Sequence, residues 1–343
     1  MLDDLKLIHE RDVQDALGVN ANQWQQLEVV FDVPFTAKEP IQNVVLAGMG
    51  GSALSALIVQ SWPGVSVPFE ISRQYDIPGF VGPNTLFIAY SYSGNTEETL
   101  EALAKAEAAG AQVVIIAAGG KLEERATVGG YPYYKLPKVS QPRYAALMGV
   151  TALVELFVSA GLLPAESLAE LRGQAGWLKE KISAWLPMVP TSDNYAKQIA
   201  QDVIGKSVVV YGGPKLAPAA YKWKISFNEN AKHVAWWNQY PEFNHNEFLG
   251  WTKQPQEKPY CVIDLRSSFE HPRVLKRFEV SERLLSGVRP SPIIVEPQGD
   301  TLLQQLLYTI ALGDFVSLYT ALLNGLNPTP VDLIETFKKS LDT

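Results

Sequence analysis

The feature that most constrains this chain is a series of short apolar runs, each ending in a glycine- or hydroxyl-rich turn and followed by a helical pattern. "NVVLAG" (43–48), "LFIAYS" (86–91) and "QVVIIAA" (112–118) are apolar throughout rather than alternating, and "FEISR" (69–73) is a weaker fourth. Continuous apolar runs of this length read as strands buried on both faces. Helical patterns follow at 53–60 and 97–109, and a third begins after Pro142. The alternation predicts an α/β fold, a mainly parallel sheet flanked by helices in a three-layer α/β/α sandwich.

The pattern then restarts with "KSVVVYGG" (206–213), "CVIDLR" (261–266) and "SPIIVEP" (291–297), closed by a long apolar helix over 301–323 and a short one over 331–341. The openings "VVLAGMGGS" and "VVVYGGPK" are alike, which argues for a duplicated unit. A chain of 343 residues also exceeds one ordinary core at roughly 150 residues per domain. Between the halves, a polar helix-favouring segment (164–181) leads into "WLPMVPTSDN", whose prolines and Thr-Ser-Asp-Asn cluster mark a boundary. The expected organisation is a domain over 1–163, a helical linker over 164–190 and a second domain over 191–343.

The stretch "SYSGNTEETLEAL" places Ser91, Ser93, Gly94, Asn95 and Thr96 where a buried strand hands over to a helix with Glu97, Glu98 and Glu101 in its first turns. A helix N-terminus at the carboxyl end of a parallel strand offers backbone N–H groups and a partial positive charge, which suit a phosphate. Gly94 permits close backbone approach. A capping box would need one hydroxyl, from Thr96 or Ser93; three hydroxyls, a glycine and an asparagine favour anion binding. "AGMGGSALS" supplies a second wall. Its Gly48, Gly50 and Ala53 fit a loose dinucleotide pattern with Glu70 downstream, but a dinucleotide site leaves the hydroxyl loop unexplained.

Composition excludes several classes. Hydrophobic content of 47% and charged content of 19% describe a globular protein, and a net charge of −7 argues against a general nucleic-acid binder. The single cysteine, Cys261, lies in the strand-like "YCVIDL" and reads as core; it excludes an intramolecular disulfide or a CxxC site. The start, "MLDDLKLIHERD", lacks a signal-peptide layout, and no run of about 18 uninterrupted apolar residues reads as a span. The expectation is a soluble, cytoplasmic protein with neither membrane nor nucleic-acid partner. Of four histidines, His9 and His271 read as surface and His233 as a neighbour of the "NENAK" segment. Asn244, His245 and Glu247 are the one conceivable ligand cluster; without an HxxxH or HxH pair or grouped cysteines, no metal is expected.

"AGMGGSALS" followed by "SYSGNTEETL" resembles the sugar isomerase (SIS) fold, whose members bind phosphosugars in such loops. "FNENAKHVAWWNQYPEFNHNEFLGW" resembles the bifunctional phosphoglucose/phosphomannose isomerases in particular, and the ordered motifs span nearly the whole chain. The resemblance implies interconversion of glucose 6-phosphate and mannose 6-phosphate with fructose 6-phosphate through a cis-enediol(ate), with no cofactor and no metal. The phosphate would be held by Gly50, Gly51, Ser52, Ser91, Ser93 and Thr96. Such chemistry needs one base reaching carbons 1 and 2, and a carboxylate serves; Glu229 takes that role, against the bland reading of a surface glutamate near a helix start. His245, which titrates in the useful range, opens the sugar ring. Arg143 steadies the enediolate charge, and Lys338 assists ring opening, with Lys339 one residue away leaving that register open. The family is dimeric and its histidine serves the neighbouring subunit, so a homodimer with His245 crossing the interface is implied. Trp236, Trp237, Tyr240, Phe243, Phe248 and Trp251 crowd that segment and fit either an interface or a core. A non-catalytic phosphosugar-binding regulator would keep the hydroxyl loop but has no use for Glu229 and His245. An aminosugar synthase would need an N-terminal cysteine, and residues 1–40 have none.

Overall fold

The computed structural model of the protein describes residues 1–253 and 259–341. The chain divides into two compact units, one formed by Asn22–Lys179 and the other by Met1–Ala21 together with Glu180–Thr343. These units are drawn differently from the sequence expectation of 1–163, 164–190 and 191–343. Asp3 shows why the amino-terminal residues go with the later segment: its carboxylate accepts hydrogen bonds from Lys197 Nζ at 2.9 Å and from the backbone and hydroxyl of Thr191. The polar stretch read as linker forms two helices, Ala165–Gly173 and Ala175–Ser183.

The Asn22–Lys179 unit contains β1 (Asn43–Ala47), β2 (Phe69–Ser72), β3 (Thr85–Tyr90), β4 (Gln112–Ala117) and β5 (Tyr133–Lys135), all parallel, in the order β2-β1-β3-β4-β5. Every residue of β3 and β4 is buried, as their continuous apolar sequence requires. One face packs Val45, Phe87, Ala89, Val113 and Ile115 against Ala102, Leu103 and Ala106 of the helix Glu97–Ala108 and Leu122 of the helix Gly120–Gly129. The helix Gly50–Ser61 packs on Ala146–Ser159, tied by the Ser55 hydroxyl donating to Ala146 O at 2.9 Å. Because β1 is flanked by β2 on one side and β3 on the other, the winding reverses between β1 and β3. A crevice opens outside the carboxyl ends of strands at such a reversal. The turns leaving β1 and β3 are the Gly-Gly-Ser turn and the hydroxyl loop.

The other unit carries β6 (Ser207–Gly212), β7 (Ala235–Gln239), β8 (Tyr260–Leu265) and β9 (Ile293–Val295), parallel, in the order β7-β6-β8-β9. Its sheet face packs Val209, Tyr211 and Val262 against Val274 and Phe278 of the helix Pro272–Leu284. Tyr240, Phe243 and Trp251 join this core, whereas Trp236 is 51% exposed. The crowded aromatics therefore divide between this core and exposed positions.

The helix Leu302–Leu323 meets the length and hydropathy of a membrane span, yet 94% of its most apolar window is buried inside the protein. It packs against Ala217–Asn230 and Tyr195–Val203. A polar ladder runs through this contact. Lys222, Ser226 and Asn230, one helical turn apart, meet Asp314 and Ser317: Ser226 Oγ donates to Asp314 Oδ1 at 2.8 Å, Asn230 Nδ2 to Ser317 Oγ at 2.9 Å, and Lys222 Nζ forms an ion pair with Asp314. The last helix, Asp332–Leu341, exposes Leu333, Ile334, Phe337 and Leu341.

Candidate active site

Thr96 occupies the N-cap position of the helix Glu97–Ala108, but its side chain makes no capping hydrogen bond. Its hydroxyl instead lies 2.7 Å from Ser91 Oγ, which in turn is 3.4 Å from Ser93 Oγ. Ser91 Oγ and Ser93 Oγ accept from the backbone N–H groups of Gly94 and Asn95. The three hydroxyls thus form one linked cluster at a helix N-terminus that none of them caps. The helix Gly50–Ser61 likewise starts without a side-chain cap, since Met49 precedes it. Two helix N-termini with available donors at one reversal of strand order make an anion-binding arrangement.

The loop's shape depends on Gly94. It has φ +72, and a Cβ there would stand 1.7 Å from Gly119 O, so no side chain fits. Around it, Leu122 N–H donates to Gly94 O at 3.0 Å, Ala118 N–H to Tyr92 O at 2.9 Å and Lys121 N–H to Asn95 Oδ1 at 3.0 Å, fastening the hydroxyl loop to the turn after β4. Gly50, with φ +49, opens the other turn. Ser52 is buried and its Oγ accepts the Tyr92 N–H at 3.3 Å, so it joins the two turns and keeps its own proton for donation. A Cβ on Gly51 would come 3.4 Å from Pro142 O and 3.7 Å from Arg143 Cα, which puts the short 3-10 helix Pro142–Ala145 against the Gly-Gly-Ser turn. Arg143 is 2% exposed, with Tyr144's ring beneath its guanidinium and Gln141 Oε1 at 3.3 Å from Nη1.

Sequence reading missed Tyr92 in this loop. Its hydroxyl accepts the Val139 N–H at 2.5 Å and lies 3.3 Å from Pro137 O, so it holds the segment leading to Arg143. Burial pushes the Tyr92 phenol up, against the hydrogen bond from Val139. Only the Ser-Tyr-Ser spacing hinted at it: a tyrosine between two loop hydroxyls points away from them.

The remaining candidates belong to the other unit. Glu229 stands in the last turn of the helix Ala217–Asn230, not near a helix start, and is partly buried. His245 ends a short 3-10 helix, Glu242–His245, and is exposed. Its neighbours are fixed: Asn244 Nδ2 donates to Ser281 Oγ at 2.8 Å, and Glu247 accepts from Asn238 Nδ2 at 2.7 Å and from the Tyr211 hydroxyl. Burial and the adjacent Glu247 carboxylate hold that phenol well above the usual range. Lys338 lies on the exposed helix Asp332–Leu341, 2.8 Å from Glu335, with Lys339 one position on. His233 bonds Lys206 O through its ring, which gives it a structural partner. No group of three or more His, Cys, Asp or Glu side chains with metal-holding geometry occurs among the described residues.

The counterpart crevice, where β6 and β8 leave the second sheet, is already filled. Glu270 Oε1 accepts the Lys215 N–H at 2.8 Å, and a Cβ on Gly213 would meet the Glu270 carboxyl carbon at 2.4 Å. The chain places its own carboxylate where a phosphate would sit. Burial pushes that carboxyl up, opposed by the N–H groups of Lys215 and Leu216. The Ser267 and Ser268 hydroxyls nearby are engaged by Gln305.

Two parallel α/β units, one with an open hydroxyl-lined turn at its strand reversal, define a protein of the sugar-isomerase domain class. A family model described as the bacterial phospho-glucose isomerase C-terminal SIS domain matches residues 192–341. A glucose-6-phosphate isomerase-like protein from Thermus thermophilus superposes with a TM-score of 0.64 at 16% identity, covering 98% of each chain. The bifunctional phosphoglucose/phosphomannose isomerase of Caldicellulosiruptor bescii is 34% identical over 309 residues, covering 88% of this chain and 90% of that protein. The protein of the same description from Aquifex aeolicus is 31% identical over 323 residues, covering 93% and 95%. The chain belongs to the bifunctional phosphoglucose/phosphomannose isomerase family.

Proposed function

We propose that this protein interconverts glucose 6-phosphate and mannose 6-phosphate with fructose 6-phosphate through a cis-enediol(ate), without a metal or cofactor. The observation that carries the reading is the Ser91–Ser93–Thr96 cluster, whose hydroxyls bond one another and leave the helix uncapped. An N-cap threonine that does not cap gives up about 1 kcal/mol of local stability, and binding a phosphate makes use of the arrangement. Gly50, Gly51 and Ser52 complete the phosphate contacts. Glu229 carries the proton between carbons 1 and 2, Arg143 faces the developing enediolate charge, and His245 and Lys338 open the ring. The two aldoses differ only at carbon 2, which becomes trigonal in the intermediate, so one base and one pocket serve both.

The active form is a homodimer in which His245 completes the partner subunit's site. Two features support this: an imidazole exposed on its own unit, and the uncovered Leu333 and Phe337, at 82% and 61% exposure, on the helix that bears Lys338. Incubation with fructose 6-phosphate and separation of the hexose phosphates is expected to yield both aldoses, with chelator present or absent. Phosphosugar binding without turnover would leave the regulator reading standing instead. Mixing Glu229→Gln and His245→Asn proteins under subunit exchange tests the dimer. Half the dimers are then mixed and each carries one intact site, so activity recovers to about a quarter of the parent's. No recovery despite exchange places His245 in its own subunit's site.

A further inference from the structure

The ENAK segment contains a lysine that no step above uses. Lys232 follows the helix Ala217–Asn230, and its Nζ lies 3.0 Å from Glu229 O, 3.3 Å from Asn230 O, 3.2 Å from Asn327 O and 2.9 Å from Pro328 O. The first two are carbonyls of the helix's last turn. The other two precede the helix Asp332–Leu341, which bears Lys338. An ammonium has three protons, so four converging oxygens form a cation cage rather than four separate hydrogen bonds. A positive charge at this end of a helix is also favoured by the helix dipole.

The backbone shows that the side chain matters here. Lys232 has φ +50, a left-handed conformation that is unfavourable for a residue with a side chain. Glycine is the usual occupant just past a helix end for that reason. Keeping a lysine in this conformation makes sense if its ammonium contributes more than its backbone loses.

We propose that Lys232 is a positioning residue: its ammonium is a tethered monovalent cation that fastens the Glu229 end of one helix to the segment leading into the Lys338 helix. The role given to Glu229 rests on the isomerase reading above; the cage itself does not. Lys232→Gly removes the ammonium while relieving the backbone, so folding is not at risk. The melting temperature should fall only slightly, since the relieved backbone offsets most of the lost contacts, while kcat with fructose 6-phosphate falls at least about 10-fold through misplacement of the base. KM should stay within about 3-fold, because phosphate contacts are untouched. Ammonium or potassium chloride should restore part of the lost kcat, and tetramethylammonium at equal ionic strength should not. Lys232→Met, which keeps the stem, should show the same loss and rescue. Unchanged kcat, or a loss that no small cation repairs, overturns the proposal. Hydrogen exchange across residues 327–331 gives a readout that needs no turnover: it should quicken in Lys232→Gly and slow again with ammonium. Unaltered exchange refutes the cage; a cage confirmed in a protein that does not turn over fructose 6-phosphate refutes only the isomerase reading.

Discussion

Asp314→Ala offers a demanding test of how the helix that carries Glu229 is held. Lys222 is 1% exposed and Asp314 2%, and the carboxylate also accepts the Ser226 hydroxyl at 2.8 Å. Deleting the carboxylate strands an ammonium in the interior, a change that costs about 3–5 kcal/mol where one partner of a buried pair is lost. For a unit of this size each kcal/mol moves the melting temperature by about 2–4 °C, so the variant should melt roughly 6–20 °C below the parent. The double variant Lys222→Met/Asp314→Leu replaces both charges by apolar groups of similar bulk and should recover most or all of that loss. Differential scanning calorimetry of the parent, Lys222→Met, Asp314→Leu and the double completes a thermodynamic cycle whose coupling term isolates the pair. An Asp314→Ala protein melting within about 2 °C of the parent refutes the reasoning. So does a double variant as unstable as either single one, since the penalty assigned here is that of an unpaired charge.

Thr96→Val and Ser93→Ala each remove a hydroxyl donor and should raise KM for hexose phosphates by the equivalent of about 1–3 kcal/mol, with kcat little changed; a fall in melting temperature with KM intact would restore the capping role that the structure denies to Thr96. Glu270→Gln tests the filled second crevice through pH. Burial raises this carboxyl above its ordinary value, so the folded state binds the proton more tightly than the unfolded one, and the stability this confers is lost as pH rises through the folded pKa. The amide should therefore melt higher than the parent at neutral pH, with the difference vanishing below the unfolded carboxylate's pKa near about 4.3; a pH-independent difference would point to packing instead.

The strands β1, β3, β4, β6 and β8 were legible because each is buried on both faces and so carries an unbroken apolar run. The turns after β1 and β3 were legible for a related reason: turns at a strand reversal favour small and polar residues, and Gly48, Gly50, Gly51 and Ser52, like Ser91, Ser93, Gly94, Asn95 and Thr96, are such residues. The helix Ala217–Asn230 was not. Its buried face carries Lys222, Ser226 and Asn230 in successive turns, so the polar ladder erases the apolar stripe that would have announced it. That loss also placed Glu229 at a helix start instead of in the last turn. Strand β7 hid within an aromatic run because it is an edge strand with partly exposed residues. Glu270 could not be foreseen, since a carboxylate filling its own chain's crevice is a long-range contact with no local signature.

Asp314 has a second consequence, during synthesis rather than in the folded protein. The segment 302–323 has the hydropathy of a membrane span, and before its partners fold around it a nascent chain leaves it uncovered. An aspartate near the middle of such a helix raises the free energy of insertion into a bilayer by about 2.5–3.5 kcal/mol. The residue that pairs with Lys222 inside the finished molecule therefore also makes the segment a poorer substrate for insertion into a bilayer. The Lys222→Met/Asp314→Leu chain, however stable once folded, would have lost that safeguard.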